Sequence, residues 1–457
     1  LDPTFGGDGI IERDWGGEDY AYGVAAVDGR VIVGGYSGAT DSFVVAGYES
    51  DGDVDAAFAC GGMATVKPGE YSNYARSMAV RDGKIVLAGD GYSYTSWTQD
   101  LAVMRLNSDG SLDAAFGLPG PATLASPYGE WITVSDAVVR PNDGIWVIGY
   151  TYSYSTWGYD FVVGTFEAGG DPDTTFGMGG YLSTDLGGYS DYANAAVVQP
   201  DGKLIVVGTT DAGSCSGSYA FAVIRYEATG ALDATFGNSG IVQTSFGGSS
   251  SYAYAYAAAV QIDGKILVAG QSNGDVAIAR YNPDGSLDST FNYDGVTTLD
   301  LGGWDAARSI AVQADGKIVV GAEDGYGSLG MVAVRYNSDG TLDSSFGAGG
   351  VASSTLSGSY AGPDLVLRSD GSITLAGSLN GDFVVVRFTS QGALDSSLDS
   401  DGIAIVNAGG WEYGGSLLLE KDARLVLGGT SDSQLVATRL RLSGEIDTAF
   451  GTAGQTR

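Results

Sequence analysis

One short phrase recurs along the chain and limits its fold more than any other feature. Its fullest form is Leu-Asp-Ser-Ser-Phe-Gly-Ala-Gly-Gly at Leu342 to Gly350. Versions of it begin at Leu1, Val54, Leu112, Pro172, Leu232, Leu287, Leu394 and Ile446, at intervals of 53, 58, 60, 60, 55, 55, 52 and 52 residues. A tandem unit of this length cannot bury its apolar face alone, so neighbouring units must stack. Length by itself would suggest about three domains. The repeat instead makes residues 1–457 a single object.

Each unit carries four short apolar runs. In the stretch 287–342 they are Val296 to Leu299, Ala307 to Gln313, Lys317 to Gly321 and Met331 to Tyr336, separated by Gly-, Asp- and Asn-rich turns. Runs of this length, rich in Val, Ile and Ala, read as strands, and Asp-Gly between them is a hairpin signal. Helical periodicity bounded by caps is missing. The strand opening each meander is called a, followed by b and c, with d coming after the Phe-Gly phrase. The a–b turns at Asp28-Gly29, Asp82-Gly83, Asp143-Gly144, Asp201-Gly202, Asp263-Gly264, Asp315-Gly316, Asp370-Gly371 and Asp422-Ala423 number eight. The expectation is an all-β, eight-bladed β-propeller of four-stranded antiparallel blades. A d-type strand near Ile10 to Trp15 precedes the first strand a, so the N-terminal strand is expected to close the ring by joining the last blade.

The unit Leu-Asp-x-x-Phe-Gly, x-Asp-Gly-Lys-Ile-x-Val-x-Gly, Val-x-Arg-Tyr-Asn-x-Asp-Gly closely resembles the delta-60 repeat family of bacterial proteins, over essentially the whole chain. The resemblance implies a secreted or surface-associated bacterial propeller and implies no activity. Two units depart from it, with Gly47 and Thr165 where the others have Arg.

Charge and composition narrow the function. With 22 Lys and Arg against 55 Asp and Glu, the net charge of −33 repels a phosphate backbone, so nucleic acid is excluded as a partner. No run is long and apolar enough for membrane insertion. The absence of His removes His-based nucleophile machinery and His-ligated metal sites. Cys60 and Cys215 lie at different places in different units, and no disulfide between them is expected. The chain opens directly in repeat phrase, as a product trimmed of an export signal would. A monomer without a cofactor is expected.

Three groups of residues carry the functional expectations. Arg105, Arg225, Arg280, Arg335, Arg387 and Arg439 recur late in strand c, and Asp113, Asp233, Asp288, Asp343 and Asp395 in the phrase that follows; these read as structural pairs, with the repeated Phe as a plug between units. In the c–d turns, Asp109 and Asp113, Asp284 and Asp288, and Asp339 and Asp343 sit at the spacing of the first ligands of a calcium loop. A plain Asn/Asp-Gly turn is the competing reading. Finally, the d–a and b–c loops share one face, and they read as long, variable and aromatic. They supply Tyr92, Tyr94, Trp97, Trp131, Tyr152, Trp157, Tyr159, Tyr192, Trp304 and Trp411 as candidate ligand-binding residues. Tyr with Ser and Gly is the composition of adaptable binding loops. The reading is a non-catalytic scaffold for a glycan or a protein. The alternatives are a polysaccharide hydrolase or lyase using Glu130, Asp191, Asp305 or Glu412, and a purely structural surface module. The symmetry breaks most in the second to fourth b–c loops.

Overall fold

The computed structural model describes residues 10–13, 15–49, 52–94, 97–117, 120–211, 218–247, 251–325, 330–356, 358, 360–407, 410–419, 424–432 and 434–440. Every regular element among them is a β-strand. No helix among the described residues is long and apolar enough to cross a membrane. The opening and closing phrases, at Leu1 and Ile446, and the Asp422-Ala423 turn lie outside the described residues.

The four runs form antiparallel meanders in sequence order. The sixth is typical: Asp305–Val312 pairs with Ile318–Asp324, which pairs with Met331–Tyr336, which pairs with Val351–Ser353. Strands b and c are buried on both faces in unit after unit, because a sheet lies against each side of them. The strands collect into seven sheets, six of four strands and one of eight. The eight-stranded sheet is two meanders, 71–124 and 131–184, joined through a single parallel pair, Trp131 with Gln99. The same crossing recurs elsewhere as the isolated bridges Tyr159–Ser190 and Tyr219–Tyr252. The fusion is therefore the same one-pair contact that two other junctions make. The N-terminal strand Ile10–Arg13 pairs antiparallel with Gln434–Leu440 of the last sheet. That sheet packs on the first: Val31, Val33 and Tyr48 share a core with Val426, Leu435 and Ala437.

Strand a carries a register shift, as at Ala21/Gly23, Ala75/Ser77, Val134/Asp136, Ala193/Ala195, Ala255/Ala257 and Ala307/Ser309. A bulge adds twist and bends the strand. It also brings backbone close to strand b: a Cβ on Gly208 would lie 1.9 Å from the Tyr192 carbonyl oxygen. The Gly of the Val-x-Gly phrase is required there by close approach. Four bulged residues, Tyr22, Arg76, Tyr256 and Arg308, add a paired set of charges and rings. Arg76 Nε meets Asp90 at 2.8 Å, and Arg308 meets Glu323 at 2.6 Å while stacking 4.3 Å over Tyr256.

The recurring phrase assigns one job to each residue. Its first residue bridges back to the end of strand c, as Leu342 does to Tyr336. Its Phe is buried between sheets, as at Phe58, Phe116, Phe176, Phe236, Phe291 and Phe346. Its Asp receives the late strand-c Arg: Arg335 Nε donates to Asp343 Oδ2 at 2.8 Å, with Lys317 Nζ on the same oxygen at 2.8 Å. Asp343 Oδ1 accepts from the Ser345 amide and hydroxyl. The same guanidinium lies 4.3 Å over the Phe346 ring and reaches the Ser390 carbonyl of the next unit at 2.6 Å. Arg105–Asp113, Arg225–Asp233, Arg280–Asp288 and Arg387–Asp395 repeat the pairing. The two departures are compensated from elsewhere. A Cβ on Gly47 would sit 2.4 Å from the Phe58 ring, and Arg30 from strand b pairs with Asp55 instead. Where Thr165 replaces Arg, Arg140 from the end of strand a takes Asp173 at 3.2 Å and stacks on Trp146.

Removing one partner of a buried, hydrogen-bonded pair leaves the other charge uncompensated. Arg335→Ala is expected to cost about 3–5 kcal/mol of stability, measured by chemical denaturation. Burial pushes the Asp233, Asp288 and Asp343 carboxyls up, but the hydrogen bonds from lysine and hydroxyl groups and the nearby arginine outweigh it and hold all three well below the usual range. Their folded values lie below the unfolded ones. Their contribution is therefore present above the unfolded carboxyl value of about 4 and is lost as pH falls below it. The stability gap between wild type and Arg335→Ala is expected to narrow between neutral and acid pH, as read by thermal unfolding across that range.

Candidate functional site

Strand register puts the start of a, the end of b and the start of c on one face. Trp131 pairs with Tyr152, and Tyr152 with Tyr159; Tyr71 pairs with Tyr92. This is where the candidate aromatic residues gather. Tyr92 touches Tyr94 edge-on at 5.4 Å between centroids and meets Trp131 at 5.6 Å. Tyr159 contacts Tyr150, Tyr152 and Tyr192 at 5.6, 5.3 and 5.1 Å. Each contact lies in the range of favourable ring pairs. The half-buried tyrosines form a base on which more exposed rings stand.

The b–c connections, expected from the sequence to be long, are short in some units. In the fifth and seventh units they are two-residue Asn-Gly turns, Asn273-Gly274 and Asn380-Gly381, closed by Ser272–Asp275 and Leu379–Asp382 pairs. An Asn-Gly pair adopts the left-handed backbone that a two-residue hairpin needs. Trp411 of the next unit lies over the second of these glycines and Trp304 near the first. The second and third units instead carry long aromatic hairpins. Tyr92-Ser93-Tyr94 leads to Trp97, and Tyr152-Ser153-Tyr154 leads to Trp157. In both hairpins the tryptophan amide closes the turn on the serine carbonyl, at 2.8 and 2.9 Å. Trp97 and Trp157 are 70% and 72% exposed. Both have φ near +60° (60° and 58°), a conformation that costs a side-chain-bearing residue about 1–2 kcal/mol. Glu70 steadies the first hairpin by accepting the Tyr94 amide at 2.6 Å. The fourth b–c loop, 212–217, lies outside the described residues, as does Cys215; Cys60 is an exposed free thiol.

The four candidate catalytic carboxylates lie at the starts of four different a strands and are buried. Three of them fold the loop that precedes them. Asp191 Oδ2 accepts the Leu186 amide at 2.8 Å, Asp305 Oδ2 the Leu301 amide at 2.6 Å, and Glu412 Oε1 the Gly410 amide at 3.2 Å. Glu130 instead faces Thr151 and Tyr181, both at 3.5 Å. The carboxylates they meet are ones the sequence reading passed over. Asp160 and Asp185 join Asp191, and Asp275 and Asp300 join Asp305, with one oxygen of each residue in a triad within 4.8 Å of the others. Burial, with neighbouring carboxylates adding to it, pushes Asp191 up to about 7 and Asp160 and Asp305 up to about 6. A signal for them was present: Asp-Leu-Gly-Gly stands at Asp185 and at Asp300, just ahead of Asp191 and Asp305.

The c–d turns lie on the opposite face. There Asp109, Asp284 and Asp339 each accept the amide and hydroxyl of the residue two ahead, closing an Asx turn. Asp113, Asp288 and Asp343 spend an oxygen on arginine and lysine. The proposed calcium-loop ligands therefore have protein donors. A cavity of about 980 Å³ also opens on this side, lined by Val198, Val260, Ile262, Lys265, Val312 and Gln313.

Exposure sorts the seven tryptophans. Limited oxidation with N-bromosuccinimide is expected to modify Trp97, Trp157, Trp304 and Trp411 early and to spare the fully buried Trp146, as read by peptide mass spectrometry.

No curated protein matches the chain by sequence. Solved structures of similar chain path include virginiamycin B lyase from Staphylococcus aureus (10% identity, TM-score 0.41, covering 81% of this chain and 96% of that one). A polysaccharide lyase, ulvan lyase of family PL25, gives 11%, 0.45, 80% and 91% on the same measures. The α-L-arabinofuranosidase Arb93A from Fusarium graminearum gives 10%, 0.43, 81% and 93%. Residues 81–116, 199–236, 261–291, 313–346 and 368–398 match the sequence profile of the β-propeller family described as a domain of unknown function, DUF5122. Each matched stretch spans an a–b turn, strands b and c, and the recurring phrase as far as its Phe, or as far as Leu398 in the last. Five of the repeats in this chain thus match the DUF5122 β-propeller family.

Proposed function

We propose that the chain is an eight-bladed, ring-closed propeller, secreted or held at a bacterial surface, that binds a carbohydrate chain without reacting with it. The blade count is supported by reading the eight-stranded sheet as two meanders, and closure by the pairing of Ile10–Arg13 with the last sheet. The binding reading rests on one observation above all. Trp97 and Trp157 stand at the tips of twin hairpins, largely exposed, in a backbone conformation suited to glycine. Strain of this kind persists where the surroundings enforce it, and it gathers at ligand-binding positions.

Flat indole and phenol rings stack on the apolar faces of sugars, while neighbouring Ser, Asp and Glu groups take hydroxyl donors. The net charge of −33 repels polyanions, which favours neutral glycans over sulfated or uronate-rich ones. The loop-folding role of Asp191, Asp305 and Glu412, and their placement on separate strands, favours binding over hydrolysis.

The test is a panel of neutral and anionic polysaccharides assayed by affinity electrophoresis and by reducing-end release. Retardation by a neutral glycan without release is the expected outcome. Release of reducing ends would favour the enzyme, and the absence of any binding would sink the aromatic-face reading. Trp97→Gly with Trp157→Gly is expected to abolish retardation. The same double change should leave stability unchanged or raise it by up to about 1 kcal/mol per site, because glycine adopts the left-handed conformation freely. A loss of stability would make the two tryptophans structural.

A further inference from the structure

We infer that the triads Asp275–Asp300–Asp305 and Asp160–Asp185–Asp191 are two binding sites for a hard divalent cation of calcium's size. Each triad takes one carboxylate from the start of strand c, one from just beyond strand d, and one from the start of the next strand a. A cation there would tie three strands and two units together.

Geometry comes first. In each triad the three oxygens lie within 4.8 Å of one another. Two oxygens across a single calcium ion, each at roughly 2.4 Å, are separated by at most about that distance. In the Asp275–Asp300–Asp305 site the loop occupies one oxygen of each of two acids: Asp300 Oδ1 accepts the Gly302 amide at 2.8 Å, and Asp305 Oδ2 the Leu301 amide at 2.6 Å. That leaves Asp305 Oδ1. Asp305 is 0% exposed, and this oxygen has no hydrogen-bond partner among the described residues. A buried carboxylate oxygen without a donor is costly, and a cation supplies what the protein does not. Asp300 is exposed, so the site is open to solvent.

The repeat supplies an internal control. Phe43 pairs with Val66 as Val276 pairs with Leu299, so Lys67 occupies the register position of Asp300. At that junction Lys67 Nζ lies 3.2 Å from Asp41 Oδ2, and Asn73, placed like Asp191 two residues before the bulge, donates its side-chain amide to the same carboxylate. There the chain provides its own cation and a neutral amide. In the seventh unit the corresponding position is Asn407, whose amide donates to Asp382 at 2.6 Å. The position thus carries a donor in both of those units and an acid in the two triads. Oxygen-only ligands, partial exposure and the absence of imidazole or thiolate select a calcium-like ion over zinc or copper.

The experiment uses the purified chain stripped with chelator, then titrated with calcium by calorimetry and with terbium by luminescence sensitised through Trp304. Two calcium ions per chain, a Kd on the order of 10⁻⁴ M, and a melting temperature raised by calcium and restored by chelator are expected. Asp300→Lys, which copies the Lys67 arrangement, should remove one ion, abolish the Trp304-sensitised signal and make that junction's stability independent of calcium. Asp300→Asn should also lose the ion while keeping the acceptor for the Gly302 amide. Failure to bind calcium or terbium, or unchanged stoichiometry in both variants, would overturn the assignment.

Discussion

A single buried interaction organises the molecule: a guanidinium lying on a phenylalanine ring while it holds the aspartate of the recurring phrase. It works on three levels at once. The Asp side chain closes its own turn through the Ser or Thr two residues on, the Arg satisfies it from strand c, and the remaining guanidinium nitrogens reach the neighbouring unit's carbonyl. A charged pair can be buried only when nearly all of its hydrogen-bonding capacity is used. The ring contact adds an electrostatic attraction that also fills space. Where the arginine is missing from strand c, Arg30 and Arg140 approach the same aspartate from other strands. The fold thus keeps the interaction rather than the sequence position.

That pinning lets the two faces differ. The c–d turns are held by the clamp, and the residue just after the Phe donates its amide into the next unit's turn in several units, as Gly237 does to Asp284 and Asn292 to Asp339. Little can vary there. The opposite face is stitched where strands a and c begin, as by the Trp131–Gln99 pair and the Asp305 amide on the Gly274 carbonyl. Its loops are also anchored where strand a begins, by carboxylates such as Asp191 and Asp305 that fold the preceding turn. Between those anchors the loops range from a two-residue Asn-Gly turn to the Trp-tipped hairpins. Function tends to gather on loops held by a rigid scaffold.

Much of this was legible in the sequence for identifiable reasons. Strand period, Asp-Gly turns and the spacing of the phrase all report local chemistry, so the four-stranded meander and the Arg–Asp pairing followed from residues such as Arg335 and Asp343. The aromatic face followed too, because strand alternation fixes which connections share an end of the sheet. Three things did not follow. The bulge in strand a is a register shift, and register depends on the partner strand. Asp136 is half-buried and bridges Ser77 and the Ala196 amide on neighbouring inner strands, a role invisible without the stacking of units. The acid triads combine residues from three strands, so Asp160 and Asp185 looked like ordinary surface acids.

The sequence by itself determined the repeat, the all-β meander, the pairing chemistry inside each unit and the strongly acidic character. These depend on contacts within about sixty residues, whose partners recur at fixed offsets. Only the tertiary structure decided where Arg30 and Arg140 reach, how the first strand meets the last sheet, and which carboxylates converge. Those contacts join different units, and nothing in the local spacing of one unit records the position of the next.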